Sequence, residues 1–244
     1  MRLMISLLVC LSLSAQSSIV RRGATPAAGG GSSATYRTSS YQNQDASLAS
    51  IATPGTLNVQ SGDLIVVLVG AVNDFGVSTA VCGSDSLTLG PTFYDSGNNY
   101  KVSLYYKQNA SANAAATCTI SFTVAQLYRV IAAANYGGVA TSGGVLQSSC
   151  NNAGCSTVAS ASTSRTAQNV TTTTANTVLI AAGVDWDGGN TLTAANGFTL
   201  RLNGTTPFLL DKSVTSTGTH PSGNFATASL SQMYVSLFAV FGLL

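Results

Sequence analysis

The hydrophobic pattern is a series of short runs, most of them too brief for helices. Residues 63–72 form a nearly unbroken apolar run, as expected of a strand covered on both faces. Residues 101–108 alternate, with Val102, Leu104 and Tyr106 on one side, and 119–124 alternate with Ile120, Phe122 and Val124 together. Further strands are predicted over 128–135, 177–184, 198–202, 208–214, 225–230 and 234–241, with a polar, edge-like one at 36–41. Clusters of Gly, Asn, Asp and Ser separate them, the residues tight turns require. The stretch 139–168 is too long for a structureless loop in a compact domain, so part of it, 157–162, is predicted as an exposed edge strand.

The chain echoes itself. Gly62-Asp63-Leu64-Ile65-Val66-Val67-Leu68 lines up with Ala175-Asn176-Thr177-Val178-Leu179-Ile180-Ala181 at an offset of 113. Ser86-Leu87-Thr88-Leu89 resembles Gly197-Phe198-Thr199-Leu200 at an offset of 111, and Leu127-Tyr128-Arg129 resembles Met233-Tyr234-Val235 at an offset of 106. The three matches keep their order, as two related half-sheets would require. The expected fold is therefore all-β: a two-sheet antiparallel sandwich, jelly-roll-like, from two related halves.

Composition narrows the rest. Of 244 residues only ten are Lys or Arg and eight are acidic, all of them Asp. A net charge of +2 supplies no field for a phosphate backbone, so no nucleic-acid partner is expected. The absence of Glu and the abundance of Ser, Thr, Ala and Asn disfavour long surface helices. Residues 1–17 read as a signal peptide: a basic start, an apolar stretch, then Ala15 and Ser17 as small residues before cleavage. Residues 18–35 have a linker's composition, leaving 36–244 as the β-sandwich domain and no membrane span in the mature chain. The expected localisation is secreted or cell surface.

Four cysteines remain after processing, and an even number in an exported chain points to disulfides. Of three pairings, Cys82–Cys118 and Cys150–Cys155 are favoured, the second closing a tight loop. Zinc is disfavoured, because there is one histidine and no C-x-x-C pair.

Candidate chemistry centres on Asp185-Trp186-Asp187-Gly188-Gly189-Asn190. Trp186 is the only tryptophan and either plugs the end of the sandwich or stands out as a platform on which a sugar stacks. Asp185, Asp187, Phe75 and Tyr100 complete the expected glycan-binding set; Phe75, Tyr94 and Tyr100 lie in or beside other turns, Tyr100 next to Asn98 and Asn99. No cofactor is called for, although Asp185, Asp187, Asn190 and Asp74 carry oxygens of the kind that bind calcium. A Ser–His–Asp hydrolase would have to use His220, which lies in a turn with no G-x-S-x-G elbow anywhere. Asp185 and Asp187 are the one close carboxylate pair for glycosidase chemistry, and neighbouring Asp residues are ordinary in a Gly-rich turn. No enzyme is expected.

Gly62-Asp63-Leu64-Ile65-Val66, Val102-Ser103-Leu104-Tyr105-Tyr106, Tyr136-Gly137-Gly138-Val139, Asp185-Trp186-Asp187 and the closing run 235–241 together resemble an uncharacterised class of β-sandwich modules in secreted bacterial surface proteins. The resemblance implies a sandwich fold, a binding or spacer role and no catalytic residues. The expected function is surface or adhesion work with weak glycan binding. The alternative is a self-assembling structural subunit of an extracellular layer or filament, favoured by an exterior in which neutral polar groups replace charges. Sequons at Asn109, Asn169 and Asn203 matter only in a glycosylating host.

Overall fold

The computed structural model describes residues 33–95, 99–149, 162–166, 170–185, 193–203, 207–220, 224–231 and 234–244. Every regular element among them is a strand. Eleven come first: β1 (Thr35–Gln44), β2 (Leu48–Ala52), β3 (Leu57–Val59), β4 (Leu64–Val72), β5 (Val77–Cys82), β6 (Asp85–Ser86), β7 (Thr88–Asp95), β8 (Tyr100–Lys107), β9 (Asn113–Ala116), β10 (Cys118–Gln126) and β11 (Arg129–Gly137). Nine more follow among the described residues: β12 (Gln147–Ser149), β13 (Ser162–Thr166), β14 (Val170–Thr172), β15 (Thr177–Asp185), β16 (Thr199–Asn203), β17 (Pro207–Val214), β18 (Gly218–His220), β19 (Asn224–Ser231) and β20 (Tyr234–Gly242). The edge strand expected over 157–162 lies outside the described residues except for Ser162, where β13 begins.

All pairings among the described residues are antiparallel, and the strand order repeats. One five-stranded sheet runs β1-β11-β4-β8-β7, and another runs β12-β20-β15-β17-β16. The small pair β3-β9 is matched by β14-β18, and the β2-β10 edge of a four-stranded sheet (β2-β10-β5-β6) by β13-β19. Substituting each strand of the first series by its counterpart reproduces the second. The counterpart of β5 and β6 would fall between Asp185 and Thr199, mostly outside the described residues.

The expected antiparallel sandwich is thus present twice over. In the first repeat, Ile65, Val67, Val69, Ile131 and Ala133 face the four-stranded sheet, where Ile51, Ile120 and Phe122 meet them. The opposite face of the same strands carries Leu64, Val66, Leu68, Ala132 and Ala134. It packs on Val178, Ile180, Ala182, Ala239 and Phe241 of the second repeat. Leu179, Ala181, Phe208, Leu210 and Val240 then form an outer core with Val170, Phe198 and Val214. The central sheet is covered on both sides, which is why β4 is apolar without alternation and eight of its nine residues are buried.

The faces also set the true alignment of the repeats. Leu64 and Val178 both point into the shared core, whereas Ile65 and Leu179 point into their own repeat's core. The structural offset for β4 and β15 is therefore 114, one more than the sequence echo, and for β11 and β20 it is 105, one less. Gly62 and Asn176 then correspond, and both turn with positive φ, 86° and 53°. For β7 and β16 the offset of 111 stands: both edge strands slip register at the same place, between Leu89 and Thr92 and between Leu200 and Leu202.

Buried polar groups are tied into the sheets. Asp63 accepts hydrogen bonds from Arg37 Nε (2.9 Å), Asn135 Nδ2 (2.8 Å) and the Gln60 amide (2.9 Å), linking four strands at the foot of β4. Arg129 is fully buried; its guanidinium donates to the carbonyls of Leu48, Ser50 and Ala46 and to Gln44 Oε1, pinning the turn between β1 and β2. A disulfide joins Cys82 to Cys118, residues directly opposite each other on β5 and β10. Cys150 and Cys155 lie outside the described residues.

Candidate functional site

The loops at the carboxyl end of β4 gather most of the described candidates. Val72 pairs with Tyr100, and Tyr94 with Lys101, so the turn after β4 and the β7–β8 connection meet at one end of the first repeat. Asn73 and Asn99 both sit at positive φ, 70° and 57°, which asparagine tolerates better than most side chains. Their backbones are joined by a 2.7 Å bond from the Asn73 amide to the Asn99 carbonyl. The side chains extend the link: Tyr94 Oη donates to Asn99 Oδ1 (2.8 Å), and Asn99 Nδ2 donates to Asn73 Oδ1 (2.7 Å). Tyr94 remains 38% exposed, leaving part of its ring available to a ligand.

Lys101 fixes the same turn from below. Its ammonium donates to Asp74 Oδ1 (2.7 Å) and to the Phe75 carbonyl (2.9 Å), and lies 5.3 Å from the Phe75 ring centre. Gly76 is needed beside it, because a Cβ there would lie 2.8 Å from Thr123 Oγ1.

The expected site residues divide on this geometry. Phe75 turns inward: it is 2% exposed and stacks edge-on against Phe122 at 5.3 Å, so it is a core residue and no surface for a sugar. The apolar ring gains more from the core between β4 and β10 than from the turn it sits beside. Tyr100 is half-buried in the ladder between β4 and β7. The Asp74 carboxylate is exposed and already paired with Lys101, an ammonium that calcium would have to displace. Asp185 closes β15, its backbone opposite Tyr234. Trp186, Asp187 and Asn190 lie outside the described residues. Among the described residues no three His, Cys, Asp or Glu side chains gather as a metal site.

His220 does meet a hydroxyl. Its Nε2 is 2.9 Å from Thr172 Oγ1 across the β14–β18 pair, and Thr172 is buried. The contact closes a short two-stranded ladder.

Two features escaped sequence reasoning. One is the Lys101 pin, a long-range contact with no local signal. The other is an exposed apolar tip made by Val124, Leu127 and Tyr128 of the β10–β11 hairpin together with Leu48. Tyr128 stands at φ 46°, an uncommon conformation for a bulky side chain that only the coordinates reveal.

A second polar cluster sits between the repeats. Arg201 pairs with Asp211 through 2.6 and 3.1 Å bonds, and its guanidinium lies 4.9 Å from the Tyr36 ring centre. Burial raises the Asp211 pKa, and Arg201 opposes the rise. Burial first, and then the Asp211 carboxylate, hold the Tyr136 hydroxyl well above its ordinary value.

Comparison with protein-family models, with curated proteins and with solved structures finds no match to this chain.

Proposed function

We propose that the chain is a non-catalytic surface or adhesion module that works outside the cell and binds glycans weakly through the loops at the end of β4. The observation that carries this reading is the Tyr94–Asn99–Asn73 chain of hydrogen bonds. A partly exposed ring stands beside two amide side chains held in place by Lys101 and the paired turns. Sugar recognition needs an apolar face for the ring's C–H surface and a few fixed polar groups for its hydroxyls. Here the donors run one way, which leaves N–H groups of Asn73 and Asn99 to meet acceptor oxygens. Rigid placement lowers the ordering cost of binding. The Cys82–Cys118 bridge suits an oxidising compartment.

A glycan array with the wild type, Tyr94→Ala and Trp186→Ala tests the reading. A wild-type signal that falls about tenfold or more in Tyr94→Ala is expected, since an aromatic stacking contact accounts for about 1.4 kcal/mol. A wild type that binds no glycan overturns it.

One observation favours self-assembly as the second reading. Leu89 is 52% exposed on β7, an edge strand of the central sheet. Exposed edges pair with other chains when few charges guard them. Concentration-dependent light scattering that Leu89→Lys abolishes, with no glycan signal, would support assembly instead.

A further inference from the structure

Two connections that cross between the sheets of the first repeat leave an apolar corner. β1 pairs with β11 in the five-stranded sheet and β2 pairs with β10 in the four-stranded one, so the β1–β2 and β10–β11 turns run side by side between the layers. Gln44 stands opposite Arg129 on one side of the crossing, and Leu48 opposite Gln126 on the other. Leu48, Val124, Leu127 and Tyr128 all stand out there, each about half exposed or more, and Ala46 and Ala125 are exposed as well. Arg129 bolts the two turns together from beneath: fully buried, it donates to the carbonyls of Ala46, Leu48 and Ser50. Tyr128 sits at φ 46°, a strained backbone for a bulky residue that persists only where its surroundings enforce it. Backbone strain and a buried cation thus hold apolar side chains out in water, an arrangement that the packing of the core does not require.

We infer that this corner is a membrane-contact site whose partner is the surface of a neutral lipid bilayer. It is separate from the Tyr94 turn: β4 and β8 stand between β11, which follows Tyr128, and β7, which carries Tyr94. Three observations select lipid over another protein chain. The corner is convex, made of two short turns (45–47 and 127–128) at the outer end of both sheets, and a bilayer receives such a tip without a matching cavity. Its area is small: four half-exposed side chains amount to a few hundred Å², against the roughly 800 Å² that each partner buries in a stable pair of chains. Membrane contact has no such minimum and strengthens with the apolar area inserted. Its composition also fits, because aliphatic tips enter the hydrocarbon while a tyrosine ring and hydroxyl sit at the headgroup level. Charge then selects the lipid. Asp45 is exposed in the first turn, whereas the basic groups at this end among the described residues are engaged, Arg129 on buried carbonyls and Lys101 on Asp74. Anionic headgroups therefore gain no attraction here, and zwitterionic ones suffice.

The test is flotation of the mature protein with phosphatidylcholine vesicles, and with vesicles in which phosphatidylglycerol replaces part of that lipid. The wild type should float with both, no more strongly with the second, and high salt should not release it. Leu48→Ser and Leu127→Ser should each weaken binding about tenfold, since the exposed half of a leucine side chain no longer enters the lipid. Tyr128→Asn separates this role from a structural one. Asparagine accepts the positive φ, so the urea midpoint should hold or rise while vesicle binding falls about tenfold. A wild type that floats with neither vesicle, binding that requires phosphatidylglycerol, or flotation unchanged in all three variants overturns the proposal. So does a dimer in sedimentation that Leu127→Ser disperses, because a second copy of the chain would then cover the corner.

Discussion

Asp63 and Thr177 occupy the same place in the two repeats, yet replacing them should move stability in opposite directions. Both are buried at the foot of a central strand, at 1% and 0% exposure. The Asp63 carboxylate has three donors on it, whereas Thr177 Oγ1 has no hydrogen-bond partner among the described residues. Asp63→Asn keeps the volume and one acceptor oxygen but turns an N–H₂ toward Arg37 or Asn135, which are themselves donors. A lost hydrogen bond to a charged group costs about 1.5–3 kcal/mol, and a buried donor left unpaired about 1–3 kcal/mol. Arg37 is 33% exposed, so solvent screening puts its share at the low end. The total is about 3 kcal/mol. At roughly 2–4 °C per kcal/mol for a chain of this size, the melting temperature should fall by roughly 6–12 °C. Thr177→Val removes an unpaired hydroxyl at constant shape and should stabilise by about 1 kcal/mol. Urea denaturation monitored by circular dichroism, with calorimetry for the melting temperature, measures both. A change below about 1 kcal/mol for Asp63→Asn, or a loss of similar size for Thr177→Val, would refute the reasoning.

Four further outcomes are expected. Replacing both Cys82 and Cys118 by serine releases a constraint across 36 residues and should cost about 4 kcal/mol, read as a lower urea midpoint. Arg129→Met strands the carbonyls of Ala46 and Ser50 under the β1–β2 turn and should cost about 3 kcal/mol, with faster hydrogen exchange at residues 44–50. Burial raises the folded-state pKa of Asp211, so its contribution to stability is complete below the unfolded carboxylate pKa and is lost as pH rises through the folded value. Unfolding curves of wild type against Asp211→Asn should therefore shift in favour of the wild type on acidification from neutral pH. Burial pushes the Tyr105 hydroxyl up to about 12, so its contribution holds below the unfolded value of about 10 and is lost between the two. Tyrosinate absorbance in an alkaline titration should show that this group ionises only as the fold opens.

Strands with a strong apolar signal were legible almost to the residue. The runs expected at 63–72, 101–108, 177–184 and 208–214 became Leu64–Val72, Tyr100–Lys107, Thr177–Asp185 and Pro207–Val214. β2, β5 and β9 were not predicted, because Ser, Ala, Thr and Asn make up most of them and such residues read equally as loop. β7 was hidden for another reason. Gly90 and Pro91 break its pattern, and the structure accommodates them in the register slip of an edge strand, the place where proline is tolerated.

The internal echo was visible, but two of its three alignments were one residue out. In a strand buried on both faces every position is apolar, so no alternation marks which side chains point inward, and a slip of one is invisible in sequence while it exchanges every face in space. Only the separate cores resolve it, by placing Leu64 with Val178 and Ile65 with Leu179. The same ambiguity misplaced Phe75. As a residue in a turn it reads as exposed, yet strand β10 supplies Phe122 to cover it, a partner 47 positions away that local pattern cannot announce. Asn73 and Asn99 became informative for the opposite reason: asparagine next to a strand end is a turn signal, and where two such turns meet, their amides are held together beside Tyr94. The sheet order is thus the same in both repeats while the residues at matching positions differ. Where the first repeat carries Asn73 after β4, the offset of 114 puts Asp187 after β15, and where the first repeat sets Tyr106 opposite Val66 the second sets Asp211 opposite Ile180. What the two repeats share is therefore what builds the sheets, strand order and edge-strand register, and these survive a change of side chain at matching positions.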